Sequence, residues 1–523
     1  MRVNKLLAGA TGALAITAIG AGGALASGPA TPVQHVVVIF QENVSFDHYF
    51  GTYPLAANTG APGEPIFHAD PSTPGVNGLL NGGLLNANPN TANPFRLTRA
   101  QSATCDQDHA YTDELSIFDL GLMDKFVQFN SGCNPNQGHP NDLIMGYFDG
   151  NTVTALWNYA QNFAMSDNSF GTGFGPSTPG ALNLISGNTN GATPPNLNTA
   201  FGPDTVQGSM VSDAQPTGDD CTNRDNASMS GKNVGDLLSA AGVSWGNFAG
   251  GFDLTITNPN GTTGCHRSHT SVTGAFPSKV DYIPHHEGFQ YYAGTANPHH
   301  VRPSSISAIG HDDGNVHHQY DLHDFFDTIN AGNFPAVSFL KAEGYQDGHA
   351  GYSSPLDEQT FMVNTINFLE SRPEWASTLI VISYDDSDGW YDHQMSTIVS
   401  QSITTADIVG GVQLCGTKNT GGIPGRCGYG PRLPLIAISP FAKQNFVDHT
   451  LTDQSSIMKF IDDNWGLDTS QVPNSMSLIA GPLTNLLDFS PEAGHAKDHV
   501  LILDPTTGQP VDGHRRDGSN GPI

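Results

Sequence analysis

Short apolar runs punctuate a chain that is otherwise dominated by small, polar and turn-forming residues. VVVIF (36–40), STLIVISY (377–384) and PRLPLIAISP (431–440) each carry an uninterrupted apolar core rich in β-branched residues. Runs of this kind predict strands buried on both faces, where no polar side has to alternate with the apolar one. Two other segments have helical spacing. In TFMVNTINFLESRPEW (360–375), Phe361, Ile366 and Leu369 can share one face, and the pattern stops near Pro373. SSIMKFIDDNWGL (455–467) is again helical and ends at a glycine, the usual helix terminator. Strands alternating with helices predict an α/β fold, a three-layer α/β/α sandwich around a mostly parallel sheet. Between these blocks, 54–104, 187–232 and 281–323 read as long insertions, and no internal repeat is visible.

Composition narrows the partners. Only 37% of the 523 residues are hydrophobic, while Gly (60) and Pro (35) are plentiful, which suits a core carrying long loops. The 20 basic residues are outnumbered by 49 acidic ones, for a net charge of −29. A nucleic-acid groove needs clustered Lys and Arg, so a polyanion partner is excluded. General adhesion to anionic lipid is disfavoured too, whereas a neutral zwitterionic surface is not.

The N-terminus is a short basic start followed by LLAGATGALAITAIGAGGALA, ending in Ala24-Leu25-Ala26. This layout predicts a secretory signal over 1–26, cleaved after Ala26, and a secreted or periplasmic protein. No later segment has the ~20 apolar residues of a spanning helix, so no stable membrane insertion is expected after cleavage. Residues 27–523 would then be one catalytic domain. The six cysteines suit an oxidising compartment and include no CxxC pair. Pairing of chain neighbours favours 105–133, 221–265 and 415–427 among fifteen connectivities.

The candidate chemistry lies where the apolar runs stop. In parallel α/β sheets, ligands bind outside the carboxyl ends of strands. VVVIF runs into Gln41-Glu42-Asn43, and STLIVISY runs into Asp385-Asp386-Ser387-Asp388. Adjacent buried carboxylates repel, and a divalent cation between the two strand ends relieves that cost. Glu42, Asn43, Asp385 and Asp386 would be its oxygen ligands, a set suited to Mg, Mn, Ca or Zn. Taken singly, Asn43 or Asp388 would equally serve as a helix cap or turn residue. GTGFGPSTPGALNLISG (171–187) adds a hydroxyl at a predicted helix start, where free amides and the helix dipole favour a phosphoryl oxygen. An ordinary Ser/Thr cap remains the alternative for Ser177 and Thr178.

Taken together, ENVSFDHYFGTYP, FGPSTPGALNLISG and YDDSDGWYDH resemble the bacterial secreted phosphoesterase family. That family holds phosphatidylcholine-hydrolysing phospholipases C and AcpA-type acid phosphatases, and its fold is similar to that of the alkaline phosphatase superfamily. The resemblance implies one divalent metal ion held by Glu42, Asn43, Asp385, Asp386 and Ser177, with Ser177 also the nucleophile. It implies that His109 (DHAYTDE), His285 and His286 (YIPHHEG) and His349 (GYQDGHAGYSSP) line the pocket and contact the phosphate or the leaving group. His349 and His286 are the candidates for protonating the leaving group. His48 and His393 stand near the metal motifs without an assigned role. Val44 departs from the family, where Arg is common, and would face away from the metal.

Within that family, many phospholipases C read Thr at the nucleophile, PNR after it, and DEHGG-like text at the second strand. Ser177, Pro179-Gly180 and DDSDG favour the other branch, a phosphomonoesterase of acid phosphatase type working through a phosphoserine. The alternative is a phospholipase C acting on a phospholipid headgroup, and a third is a catalytically silent secreted binding protein. A pocket of four histidines further predicts an acid optimum, as imidazoles gain protons near pH ~6.5.

Overall fold

The computed structural model of the protein describes Met1 and residues 28–515, except 59, 61–62, 130–141, 200–201, 396, 401–403, 416–426 and 491–498. The signal read over 1–26 (beyond Met1) and the expected 105–133 bridge, through Cys133, therefore fall outside the described residues. The other two bridges form as expected, Cys221–Cys265 and Cys415–Cys427.

An eight-stranded sheet organises the chain. Its strands are β1 (His35–Gln41), β2 (Ala164–Ser166), β3 (Trp245–Ala249), β4 (Gln319–Asp321), β5 (Val337–Lys341), β6 (Thr378–Tyr384), β7 (Leu435–Ile438) and β8 (Phe446–Asp448). They lie in the order β4-β3-β5-β1-β6-β7-β2-β8. Strand β7 runs antiparallel to both its neighbours, and the other pairings are parallel. Alternate residues of a strand point to opposite faces, yet Val36, Val37, Val38 and Ile39 are all fully buried. Both faces of β1 are thus covered, as its uninterrupted apolar run predicts.

The helices are α1 (Phe46–Phe50), α2 (Tyr111–Phe118), α3 (Thr154–Asn162), α4 (Ser177–Ser186), α5 (Val234–Ala241), α6 (Leu322–Asn330), α7 (Pro355–Glu370) and α8 (Ser455–Trp465). Of these, α2 packs on an apolar cluster of its own outside the sheet core. Helices α4, α5 and α8 pack on one another, and α3 packs on α7. The expected α/β architecture with a mostly parallel sheet is present.

Several boundaries differ from the sequence reading. Helix α7 starts earlier, where Ser354 Oγ accepts from the Asp357 amide and Pro355 opens the first turn. It ends at Glu370, and Pro373–Ser377 forms a separate 3₁₀ turn. The third apolar run contracts to the four residues of β7 and reverses direction. The span 281–323 is only partly an insertion, because β4 is the edge of the main sheet. Within 187–232, Leu197–Thr199, Gly202–Val206 and Ser209–Met210 make a small sheet of their own. Among the described residues no helix is long and apolar enough to cross a membrane.

Candidate active site

Register decides which side chains meet. Strands β1 and β6 pair in parallel from His35–Thr378 through Gln41–Tyr384. The next residues, Glu42 and Asp385, therefore leave the sheet at the same level. The Asn43 amide donates to Asp385 Oδ1 at 2.9 Å, and the Val44 amide to the Asp386 carbonyl at 2.9 Å. Asn43 turns the chain with φ of 59°, a left-handed conformation that Asn tolerates better than most residues. Val44 goes into the hydrophobic core, away from the carboxylates, as expected.

Ser177 opens α4, and its Oγ lies 3.1 Å from Glu42 Oε2 and 3.3 Å from Asp386 Oδ2. A close helix–strand approach brings it there. A methyl group on Gly180 would fall 2.2 Å from the Asp385 carbonyl oxygen, so only glycine lets the first turn of α4 sit against the strand end. Thr178 is not a helix cap, since Pro176 holds that position. Its hydroxyl instead donates to the His285 carbonyl at 3.0 Å, and its amide donates to Asp213 Oδ1 at 2.9 Å. Pro179 has no N–H. The helix end consequently offers fewer free amides to an anion than the sequence suggests.

The four predicted histidines surround these groups. His286 Nδ1 lies 3.2 Å from Glu42 Oε1, and its ring is 4.5 Å from that of His285. His109 Nε2 lies 3.3 Å from Asn43 Nδ2, and Asn43 Nδ2 also donates to Asp388 Oδ1 at 3.2 Å. His349 stacks on Tyr352 at 4.3 Å and stands 6.1 Å from His109, ring centre to ring centre. Its Nδ1 is 2.6 Å from the Ala350 carbonyl, which holds the proton there and leaves Nε2 free.

Electrostatics separate these histidines. Burial, then repulsion by neighbouring cationic and imidazole groups, holds His285, His286 and His349 well below the ordinary histidine value. His109 is pushed the other way, with the carboxylates of Asp386, Asp388 and Asp106 outweighing its burial. The four do not titrate together near pH ~6.5, so no shared histidine titration sets an acid optimum.

The carboxylates carry the complementary signal. Burial and repulsion from Asp385 push Glu42 well above the usual carboxylate range, and Lys341, which bonds Glu42 Oε1, pulls it back. Burial and Asp385 likewise raise Asp386. Asn43 Oδ1 and Asp385 Oδ2 are buried without a hydrogen-bond partner. Two orphaned acceptors among crowded carboxylates and a hydroxyl fit a divalent cation with oxygen ligands.

Sequence reasoning missed several neighbours. Lys341 ends β5, as Glu42 follows β1, and the same strand-end rule would have found it had VSFLK been read as a strand. Asp388 and Asp106 join His109 and His349 in a group whose donor atoms all lie within 4.8 Å of one another. Glu114 on α2 accepts from the Gly175 amide at 2.7 Å and from Ser387 Oγ at 2.8 Å, tying the loop that leads into Ser177 to the Asp385–Asp388 loop. Burial pushes it up to about 7. Only the folded chain brings those two loops to one carboxylate.

Four other histidines are held by hydrogen bonds or ring stacking within the fold. His48 is buried, with Nδ1 2.7 Å from the Gly146 carbonyl and its ring stacked 3.9 Å from Trp390. His393 pairs with Asp47 at 2.6 Å beside Arg432. His300 pairs with Asp219, and His318 stacks on Trp245.

Known proteins are similar to this sequence over most of its length. The hemolytic phospholipase C of Pseudomonas aeruginosa is 23% identical over 484 residues, 88% of this chain and 57% of its own. Phospholipase C A of Mycobacterium tuberculosis is 24% identical over 474 residues, 88% of this chain and 78% of its own. The chain thus spans little more than half the length of the first and about three-quarters of the second. A solved phosphonate monoester hydrolase from Silicibacter pomeroyi aligns with 64% of this chain and 71% of its own, at 11% identity and a TM-score of 0.30, too slight a likeness to build on. Residues 33–468 match the Phosphoesterase family as a whole, a span that includes every residue of the site above, and the chain belongs to that family.

Proposed function

We propose that the protein is a metal-dependent phosphoric ester hydrolase that attacks phosphorus with Ser177 Oγ and passes through a phosphoserine. The observation that carries this reading is Ser177 Oγ standing between Glu42 Oε2 and Asp386 Oδ2, at 3.1 and 3.3 Å. A silent binding protein has no use for a hydroxyl so placed. The cation would be held by Glu42, Asn43, Asp385 and Asp386 with Ser177, and when bound it acidifies a hydroxyl and polarises a phosphoryl oxygen.

The chain's own groups supply the rest. As the Oγ–P bond forms, Ser177 passes its proton to Glu42 or Asp386, whose carboxylate oxygens it already bonds, and the bond from phosphorus to the leaving oxygen breaks. His285, His286 and His349 are neutral in the free pocket, but a phosphoryl anion beside them favours their protonated forms. Proton donation to the leaving alkoxide falls to His286 or His349, and His109 faces the phosphoryl oxygens as a cation. Water then cleaves the Oγ–P bond, releasing phosphate or a phosphoryl headgroup and restoring Ser177.

For substrate we favour a phospholipid phosphodiester over a monoester. The monoesterase reading rests on Ser177, Pro179-Gly180 and DDSDG, and of these the close approach of Gly180 to the Asp385 carbonyl gives the glycine a packing reason independent of substrate. The relatives are phospholipases C, which supports the diester. The test is parallel hydrolysis of p-nitrophenyl phosphorylcholine and p-nitrophenyl phosphate by the full chain, before and after chelation. Turnover of the diester, abolished by Ser177→Ala, is expected. Turnover of the monoester alone would return the protein to the phosphatase reading, and turnover of neither by metal-supplied protein would remove the hydrolase reading.

A further inference from the structure

Three loops beside the site expose apolar side chains. Leu120 and Leu122, just past α2, are 57% and 65% exposed. Met395 and Val399 are 46% and 39% exposed, and Ile408 and Val412, on a two-stranded hairpin turned by Gly410-Gly411, are 47% and 52%. These loops belong together. A methyl group on Gly121 would lie 2.4 Å from Met395 Sδ, so the first loop touches the second. Tyr111 Oη donates to Asp407 Oδ1 at 2.7 Å, fastening α2 to the base of the hairpin. Beneath them, Ile398 and Val409 pack with Phe118 and Phe126 on an apolar cluster separate from the sheet core.

Charge sets this face apart from the rest of the molecule. Between Met395 and Cys415 the sole charged residue is Asp407, which is fully buried, on a chain whose net charge is −29. On the first loop Asp119, Asp124 and Lys125 flank the leucines, with Lys125 paired to Asp119 at 2.7 Å, so charges are few and partly cancelled. A sparsely charged apolar face on a strongly acidic protein matches a neutral zwitterionic lipid surface and mismatches an anionic one. Its position matches too. Helix α2 starts two residues after His109, and its Glu114 holds both site loops. The eight residues of α2 span about 12 Å, and Leu120 follows two residues beyond its end.

We propose that Leu120, Leu122, Met395, Val399, Ile408 and Val412 form the surface by which the protein seats on a zwitterionic phospholipid aggregate while a headgroup enters the site. The inference rests on the phospholipid reading of the substrate. Shallow burial of several apolar side chains at an interface gives reversible binding without insertion.

The test uses the full chain with Ser177→Ala, so that vesicles are bound and not digested, and flotation with phosphatidylcholine vesicles. Leu120→Ser with Leu122→Ser, and separately Ile408→Ser with Val412→Ser, should each lower partitioning by about tenfold. In the Ser177 enzyme the same pairs should slow vesicle hydrolysis but leave hydrolysis of soluble p-nitrophenyl phosphorylcholine unchanged, which also shows that they fold. Phosphatidylglycerol vesicles should bind less than phosphatidylcholine. The proposal is overturned by unchanged partitioning in both pairs, by a parent that does not float, or by tighter binding to the anionic vesicles. A parent dimer that both pairs render monomeric, without vesicle binding, would assign the face to a second copy instead. Flotation of the parent with no hydrolysis of any ester would leave docking standing and remove the proposed activity.

Discussion

Neighbouring hydroxyls at the start of α4 have separate duties. Ser177 Oγ meets the carboxylates, while Thr178 Oγ1 holds the His285 carbonyl and so the turn that carries His285 and His286. Ser177→Ala should abolish a trapped phosphoenzyme. Thr178→Ala should keep it but cost about 1 kcal/mol through the lost hydrogen bond. Mass spectrometry of acid-quenched enzyme reads the first, and phosphate found on Thr178 would reverse the assignment. At the same scale, Asp385 offers one oxygen to the Asn43 amide and leaves the other without a partner. Asp385→Asn should therefore lower bound metal measured after dialysis, with activity falling at least ~100-fold. Full metal content in the variant would remove Asp385 from the ligand set.

At the scale of elements, a buried ion network braces the two strand ends. Arg432, fully buried, bonds Asp47 Oδ1 on α1 at 3.0 Å and Asp392 Oδ2 at 3.1 Å beyond the Asp385–Asp388 loop. These partners follow β1 and β6, so one guanidinium ties together the segments that deliver Glu42 and Asp385. Truncating one partner of a buried ion pair leaves the others uncompensated. Arg432→Ala is expected to cost on the order of 3–5 kcal/mol in urea unfolding. Leucine should cost less than alanine if volume matters most, whereas similar losses would identify the charge. Nothing in PRLPLIAISP announces this role, because the carboxylates that Arg432 meets lie 385 and 40 residues away along the chain.

Across the whole molecule, Glu370 joins the end of α7 to the strand Leu501–Leu503. Its Oε2 accepts from the Leu501 amide at 3.0 Å, and its Oε1 has no partner. Burial pushes this carboxyl up to about 8. A raised carboxyl stays protonated in the fold while the unfolded chain ionises. Its contribution is whole below the unfolded value of ~4.3 and is lost as pH rises through about 8. Glu370→Gln, which cannot ionise, should gain on the parent over that window, by a few kcal/mol at most. Thermal unfolding between pH 5 and pH 9 checks it, and a constant difference across the range would contradict the buried neutral carboxyl.

The sequence by itself determined the sheet's centre and the two polar strand ends that meet there. Apolar runs long enough to be buried on both faces mark β1 and β6 without ambiguity, and the polar residues at which they stop have nowhere to go but the carboxyl edge. It also carried Ser177, because Gly and Pro around a hydroxyl announce a tight turn into a helix. Strands β2, β3, β4, β5 and β8 escaped, being short and interleaved with polar residues such as Asn247 and Gln319. Their burial comes from neighbours that only the assembled sheet supplies. Tertiary structure alone decided the register that levels Glu42 with Asp385, the arrival of Lys341, Asp388 and Glu114 at the site, and the opposite charge tendencies of His109 and His349. Those depend on what lies within a few ångströms in space, and sequence spacing does not record it.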